Sequence, residues 1–331
     1  MRFLFSIFFV FLVFSGFSQD SKHVTVKRTM KLMGSRFDIT VLAIDEELGY
    51  INIEEAAAEI TRIEKIISAW DENSETALIN RNAGIRPVKV SLELFKLIER
   101  SKQISELTDG AFDISYSSMD KIWKFDGSME KMPSATEIKN SVAKVGYRKI
   151  ILDHDNQTVF LEQKGMKISF GAIGKGYAAD KAKELLVSKQ VVGGIINAAG
   201  DLSTWGTDLS GKKWIIGIVN PLSKDKIVSW LPVVESSVAT SGNYEKYVTF
   251  DGKRYSHIID PRTGYPSSGI TQVTIFAKSA ELCDALATAV FIMGKDAGLS
   301  LINQLGGTEV ILFDTDNKVH KSSGILFDRK P

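Results

Sequence analysis

SAELCDALATAVFIMG, residues 279 to 294, is the stretch around which this chain is organised. Ser279 is an N-cap residue and Gly294 a helix stop. Between them the residues are apolar on nearly every side, which predicts a buried helix rather than an amphipathic surface one. Two polar side chains, Asp284 and Thr288, interrupt that surface. Four residues apart, they project from one face of the helix. A buried carboxylate needs a cation or a hydrogen-bond network. A carboxylate and a hydroxyl are oxygen ligands, which suit a hard ion such as Mg2+. The alternative is structural: an Asp that caps a neighbouring loop and a Thr bonded back to its own helix. Taken alone the pair favours the structural reading, because carboxylates find structural partners more often than metals. The rest of the chain shifts that balance.

With 331 residues the chain can bury a large core in one domain or two smaller ones. Its 44% hydrophobic and 24% charged residues are ordinary for a globular protein. A formal net charge of +1 leaves no global field for nucleic acid or an anionic membrane. Residues 1–18 stand apart. Arg2 is their only charge, Phe3 to Phe14 is almost wholly apolar, and Gly16 and Ser18 have cleavage-site spacing. This predicts a secretory signal peptide cut after Ser18, with residues 19–331 exported to the periplasm as one domain. An uncleaved membrane anchor is the alternative, for which the apolar run is short. The sole cysteine, Cys283, lies inside the predicted buried helix, so no intramolecular disulfide forms and its role is packing.

The chain opens with a strand at Phe37 to Leu42, preceded by Met33-Gly34-Ser35. Ile53, Ala57, Ile60, Ile63 and Ile67 then repeat at three and four, the pattern of a long amphipathic helix. It runs out at Ser68-Ala69-Trp70-Asp71, where Trp70 reads as core packing or, alternatively, a stacking platform. Ser91 opens a second helix and Gly110 stops it, ahead of Ala111-Phe112-Asp113. Lys121 to Ser141 reads as an irregular, lid-like loop. A hairpin follows over Lys149–Leu152 and Thr158–Leu161.

Lys167 to Phe170 reads as a strand that runs into Gly171-Ala172-Ile173-Gly174-Lys175-Gly176 and a helix from Tyr177. Strand, glycine-rich turn and helix is an arrangement that aims backbone N–H groups at a phosphate, and Lys175 adds a cation there. It has neither P-loop spacing nor the full dinucleotide fingerprint, and such turns are often only tight connections. A strand over Gly193–Asn197 ends in Asn197-Ala198-Ala199-Gly200-Asp201. Two more read over Trp214–Val219 and Ile227–Leu231, across a loop with Pro221. Another ends in the hydroxyl cluster Thr240-Ser241-Gly242. A hairpin across Asp251-Gly252 places His257 and Ile258 on a strand entering the Asp260-Pro261-Arg262-Thr263-Gly264 turn. His257 is there either a proton-transfer residue or a hydrogen-bonded structural one. A last helix, Lys295 to Leu305, precedes strands near Val310–Phe313 and Gly324–Phe327. This irregular alternation predicts an α+β fold with mixed or antiparallel sheets flanked by helices.

Taken together, these segments resemble the ApbE family of FAD:protein FMN transferases. The matching motifs are Met33-Gly34-Ser35, Ser74-Glu75 with Leu78 and Asn80, Asp109 to Asp113, Gly171 to Asp180, Asn197 to Asp201, Thr240 to Gly242, His257 to Gly264, and Asp284 to Thr288. Each is weak alone; their order over nearly the whole mature chain is specific. The resemblance implies a T-fold-related architecture. It also implies a reaction: Mg2+-dependent cleavage of FAD, transfer of FMN to a Thr hydroxyl of a target flavoprotein, and release of AMP. The expected acceptors are electron-transfer subunits bearing a Thr flavinylation motif. Membrane association would come through such a partner or through an uncleaved leader.

By similarity, Asp284 and Thr288 are metal ligands through their side chains, and Ala172 through its carbonyl. Met33, Trp70, Ala111, Phe112, Asp113 and Lys175 fall on FAD contacts. His257 and Ile258 border the site, with His257 as base or acid. Thr240 and Ser241 hold a phosphate or position the acceptor. The chain also departs from the family pattern. Ser169 replaces a carboxylate associated with FAD, Ala199 stands where Gly is usual, Gly174 where Ala is common, and Ser35 replaces Thr. Two other readings compete. An FAD pyrophosphatase needs only water in place of the acceptor. A non-catalytic FAD-binding protein has no need of a divalent ion at the pyrophosphate.

Overall fold

The computed structural model describes residues 23–220, 223–233, 235–243, 247–250 and 253–325. The leader at 1–18, Pro221 and the Asp251-Gly252 turn lie outside them. The strands are β1 (Val24–Leu32), β2 (Ser35–Ala43), β3 (Val88–Lys89), β4 (Ile150–Asp153), β5 (Thr158–Leu161), β6 (Gly194–Ala198), β7 (Asp201–Trp205) and β8 (Trp214–Asn220). They continue with β9 (Ser223–Val233), β10 (Ser237–Gly242), β11 (Tyr247–Phe250), β12 (Lys253–Ser256), β13 (Ile270–Ala277), β14 (Glu309–Asp314) and β15 (Val319–Lys321). The helices are α1 (Glu46–Ile67), α2 (Glu75–Arg81), α3 (Leu92–Leu107), α4 (Ala135–Ser141), α5 (Gly174–Ser188), α6 (Ala280–Met293) and α7 (Lys295–Ile302).

Eight strands form one sheet, in the order β1-β2-β6-β7-β10-β13-β14-β15. Every pairing among the described strands is antiparallel. The period of two along each strand decides what each sheet face meets. Ala239, Val273, Ile275, Val310 and Leu312 turn to one side and pack under α6 with Leu286, Val290 and Phe291. Their neighbours Val238, Phe276, Ile311 and Phe313 turn to the other side and meet Ile216 and Ile218 of the β8–β9 hairpin. On the helical side, α1 and α5 continue the layer, with Ile53, Ile60 and Ile63 fully buried against Phe37, Ile39 and Val41. The three- and four-residue spacing of those isoleucines is what lets one stripe of α1 cover the sheet.

The buried helix runs as its sequence predicts. Ser279 Oγ accepts from the Leu282 amide at 3.2 Å, and no residue of α6 is exposed. Gly294 ends it at φ 83°. Ser91 likewise caps α3. Several expectations are corrected. Lys167 to Phe170 is not a strand, because its polar backbone is claimed by side chains and a loop. Asn80 brackets Ile168, Ser118 Oγ pairs with Lys167, and the Ser169 amide donates to the Ile114 carbonyl. The following helix begins at Gly174 rather than Tyr177, glycine's poor helix propensity being overridden by packing. The segment 121–141 is not wholly irregular. Ser134 and Glu137 form a capping box that starts α4, and Trp123, Phe125, Met129 and Met132 pack on the β11–β12 hairpin with Tyr255 and Phe250. The last described strand is Val319–Lys321; Ser323 and Gly324 lie in a turn, and Phe327 is outside the described residues.

Candidate active site

The N-termini of α5 and α6 meet with almost no space between them. A Cβ built on Gly176 would stand 2.1 Å from the Ala280 carbonyl oxygen, so only glycine permits this approach. The contact brings the Gly176 amide to Asp284 Oδ2 at 3.2 Å. Asp180, one turn further along α5, caps the same end of α6. Its Oδ2 accepts from Ser279 Oγ at 2.8 Å and from the Glu281 amide at 2.9 Å. A carboxylate at a helix N-terminus is favoured by the exposed amides and the helix dipole. Sequence reading places Asp180 only inside a motif, because its partners are about a hundred residues away.

Asp284 is thus held in a buried position, and its cation is Lys175. The Lys175 ammonium lies 3.5 Å from Asp284 Oδ2 and is also hydrogen-bonded to Asp201 Oδ2. Asp201 is the first residue of β7 and is buried. Burial and the nearby Asp284 charge push its carboxyl up to about 7, against the pull of Lys175. Burial draws the Lys175 ammonium down, but the charges of Asp284 and Asp201 outweigh it and its pKa rises. Sequence reading places Asp201 only at the end of a motif and gives it no site role. The available signal was a carboxylate directly after the Ala199-Gly200 turn, at the start of a buried strand.

These groups line the floor of a cavity of about 1120 Å³. Trp70, Ala111, Phe112, Asp113, Ser169, Ala172, Lys175, Thr240, Ser241, His257, Ile258, Asp284 and Thr288 all belong to its wall, together with Asp201 and Ala199. Met33 does not. It occupies the β1–β2 turn, its amide donates to Glu64 at 3.1 Å, and its side chain packs against the core. Trp70 is not a core residue: it is 86% exposed at the rim, with the Lys121 ammonium 5.4 Å from its ring centroid. Asp113 is committed to structure, accepting from the Ser115 amide and hydroxyl and from the Tyr147 amide. Burial is the larger influence on its carboxyl and raises its pKa despite these bonds.

Thr288 Oγ1 lies 3.4 Å from Ser241 Oγ, which ties α6 to the end of β10, while Thr240 pairs with Thr274. His257 lies just past β12, which ends at Ser256 rather than carrying the histidine. Its ring meets the edge of Phe125 at a centroid distance of 6.5 Å, so the 121–134 segment packs directly on it. Ala172 sits in the turn leading into α5. Of the residues that line it, Asp201 and Asp284 are buried, Phe112 and Ile258 add apolar surface, and Trp70 is exposed at its rim. A ligand with a charged centre and flat apolar ends suits that distribution.

An antiparallel α+β fold whose helix ends converge on a buried carboxylate–ammonium cluster, in the wall of a cavity of about 1120 Å³, defines the class. The chain belongs to the ApbE family, whose family model matches residues 33–312. It is 33% identical over 289 residues to an FAD:protein FMN transferase of Klebsiella pneumoniae (strain 342), covering 87% of this chain and 88% of that one. It is 31% identical to the FAD:protein FMN transferase of Treponema pallidum (strain Nichols), over 83% of this chain and 80% of that one. Among solved structures, the ApbE protein of Thermotoga maritima superposes with a TM-score of 0.83 at 32% identity, covering 93% of this chain and all of that one. The apo flavinyl transferase ApbE of Pseudomonas stutzeri gives 0.79 at 25% identity, over 91% and 95% of the two chains.

Proposed function

We propose that this protein cleaves FAD with Mg2+ and transfers FMN to a Thr hydroxyl of an acceptor protein, releasing AMP. The observation that carries this reading is the Asp284–Lys175–Asp201 cluster on the floor of a cleft of about 1120 Å³ with an exposed tryptophan at its rim. The transferase names of its relatives support the same reaction.

The donor set fits a hard divalent ion. Asp284 supplies a carboxylate, Thr288 a hydroxyl from the same helix face, and Ala172 a backbone carbonyl, all oxygen ligands. Among the described residues no three His, Cys, Asp or Glu side chains gather as a metal cluster. The ion would therefore rest on this mixed set, with water and substrate phosphate completing it. When bound, Mg2+ neutralises charge on the pyrophosphate and on the departing AMP. Lys175 contributes a second positive charge in the same wall. His257 receives the acceptor hydroxyl's proton as that oxygen bonds to the FMN phosphorus and the bond to AMP breaks. Trp70 offers a flat apolar face to one ring system of the dinucleotide.

The leader reading makes the protein periplasmic, which places it with exported electron-transfer subunits as acceptors. No described helix is long and apolar enough to cross a membrane.

The test is a gel. The mature protein, FAD, Mg2+ and an acceptor domain with a Thr flavinylation motif are mixed, denatured and separated, with AMP and FMN followed in parallel. A fluorescent acceptor band that disappears with EDTA is expected. AMP and free FMN without a labelled band would replace the transferase with a pyrophosphatase. His257→Ala should lower the rate while leaving FAD affinity within about threefold; a loss confined to affinity removes His257 from proton transfer.

A further inference from the structure

One ammonium serves two buried carboxylates in this site. Lys175 Nζ is bonded to Asp201 Oδ2 and stands 3.5 Å from Asp284 Oδ2. The two carboxylate side chains are only 5% and 7% exposed, so each depends chiefly on the lysine for its counter-charge. The three groups come from different elements. Lys175 is in the first turn of α5, Asp284 is in α6, and Asp201 opens β7. Lys175 has a long, flexible side chain, whereas Asp201 is fixed. Its backbone pairs with Ala198 across a two-residue hairpin inside the eight-stranded sheet.

A divalent ion at Asp284 would meet that ammonium as a like charge at close range. The ion and the lysine compete for one carboxylate unless the lysine has another anion to hold it. Asp201 is that anion. We propose that Asp201 is a positioning residue for the cation site: it takes the closer bond from the Lys175 ammonium, so that Asp284, 3.5 Å from that ammonium, holds it only in part and can take a divalent ion. The proposal rests on the metal reading of Asp284 given above. Without the Asp201 charge, Lys175 turns to Asp284 and competes with the metal.

The experiment uses the mature full-length chain without FAD, and Mn2+ as the probe. Free Mn2+ is read by electron paramagnetic resonance, with Mg2+ displacement to confirm the site. The variants are Asp201→Asn, Lys175→Met and the double variant, each checked for folding by thermal melting. Asp201→Asn should weaken Mn2+ binding by roughly tenfold or more, because it leaves the competing ammonium unpaired. Lys175→Met should tighten binding severalfold, and it tests competition even if Asp201→Asn does not fold. The double variant should return to within about threefold of the wild type, since no competitor remains to be held. A merely structural Asp201 gives no such recovery, which is the discriminating feature of the cycle. Equal affinities in Asp201→Asn and wild type overturn the proposal. So does a double variant as weak as the single, or a Lys175→Met variant that binds more weakly than wild type. A wild type that takes up no Mn2+ overturns the metal reading itself and this proposal with it.

Discussion

Gly176→Ala is the sharpest test of how the site is built. In an exposed helix this change stabilises by up to about 1 kcal/mol, through alanine's better propensity. Here the added methyl would lie 2.1 Å from the Ala280 oxygen, 2.5 Å from its carbonyl carbon and 2.9 Å from the Glu281 nitrogen. All three are backbone atoms of a helix start, so no side chain can swing away. Ordinary contact at 3.4 Å or more requires the ends of α5 and α6 to separate by over an ångström. Overpacking of this kind costs about 1–3 kcal/mol. Separation also lengthens the 3.2 Å bond from the Gly176 amide to Asp284, and a bond to a charged acceptor contributes about 1.5–3 kcal/mol. The clash therefore outweighs propensity, for a net loss of about 2–5 kcal/mol. For a domain of this size that lowers the melting temperature by about 3–8 °C. The assay is a thermal melt of the mature protein, paired with Mn2+ binding as a report on Asp284. A variant that melts within about 1 °C of wild type and binds the ion equally well would refute the argument that close helix packing sets the carboxylate.

Three further outcomes are expected. Trp70→Ala should leave the melting temperature within about 1 °C, because the side chain is 86% exposed, yet weaken FAD binding by about tenfold if the ring is a stacking platform; titration of FAD fluorescence decides this. Ala199→Gly should raise stability by about 0.5–1 kcal/mol, since Ala199 sits at φ 55° in the β6–β7 turn where glycine is unstrained, and a denaturant midpoint shift reads it. Glu93 is pulled below its ordinary value of 4.5 by the Arg62 hydrogen bond, opposed by burial and helped by Tyr177. Its stabilising contribution is therefore present above that value and is lost as pH falls through the folded value. Glu93→Gln should flatten the fall in melting temperature between about pH 5 and pH 3, and an unchanged slope would remove this group from acid unfolding.

Local chemistry made much of the fold legible. Ser279 and Gly294 bracket α6 because capping and left-handed termination are decided within a few residues. The isoleucine stripe of α1 and the hairpin strands β4–β5 follow from periodicity alone. The pairing of Asp284 with Thr288 on one helix face also needs only the helical repeat. The family motifs then named the polar residues Lys175, Thr240, Ser241, His257, Asp284 and Thr288 of the cleft wall in advance, but not Tyr116, Met119 or Trp123. Other features depend on groups distant in the chain. Lys167 to Phe170 reads as a strand, but Asn80, Ser118 and Ile114 take its backbone bonds first. Trp70 reads as core packing or a stacking platform, and the structure leaves it exposed because α1 ends before carrying it inside. Sequence by itself determined both ends of α6, the β4–β5 hairpin and the carboxylate that had to find a cation. Only the tertiary structure decided that this cation is Lys175 and that Asp201 shares it. That choice is made where two helix N-termini and a strand start converge, and no local propensity encodes such a contact.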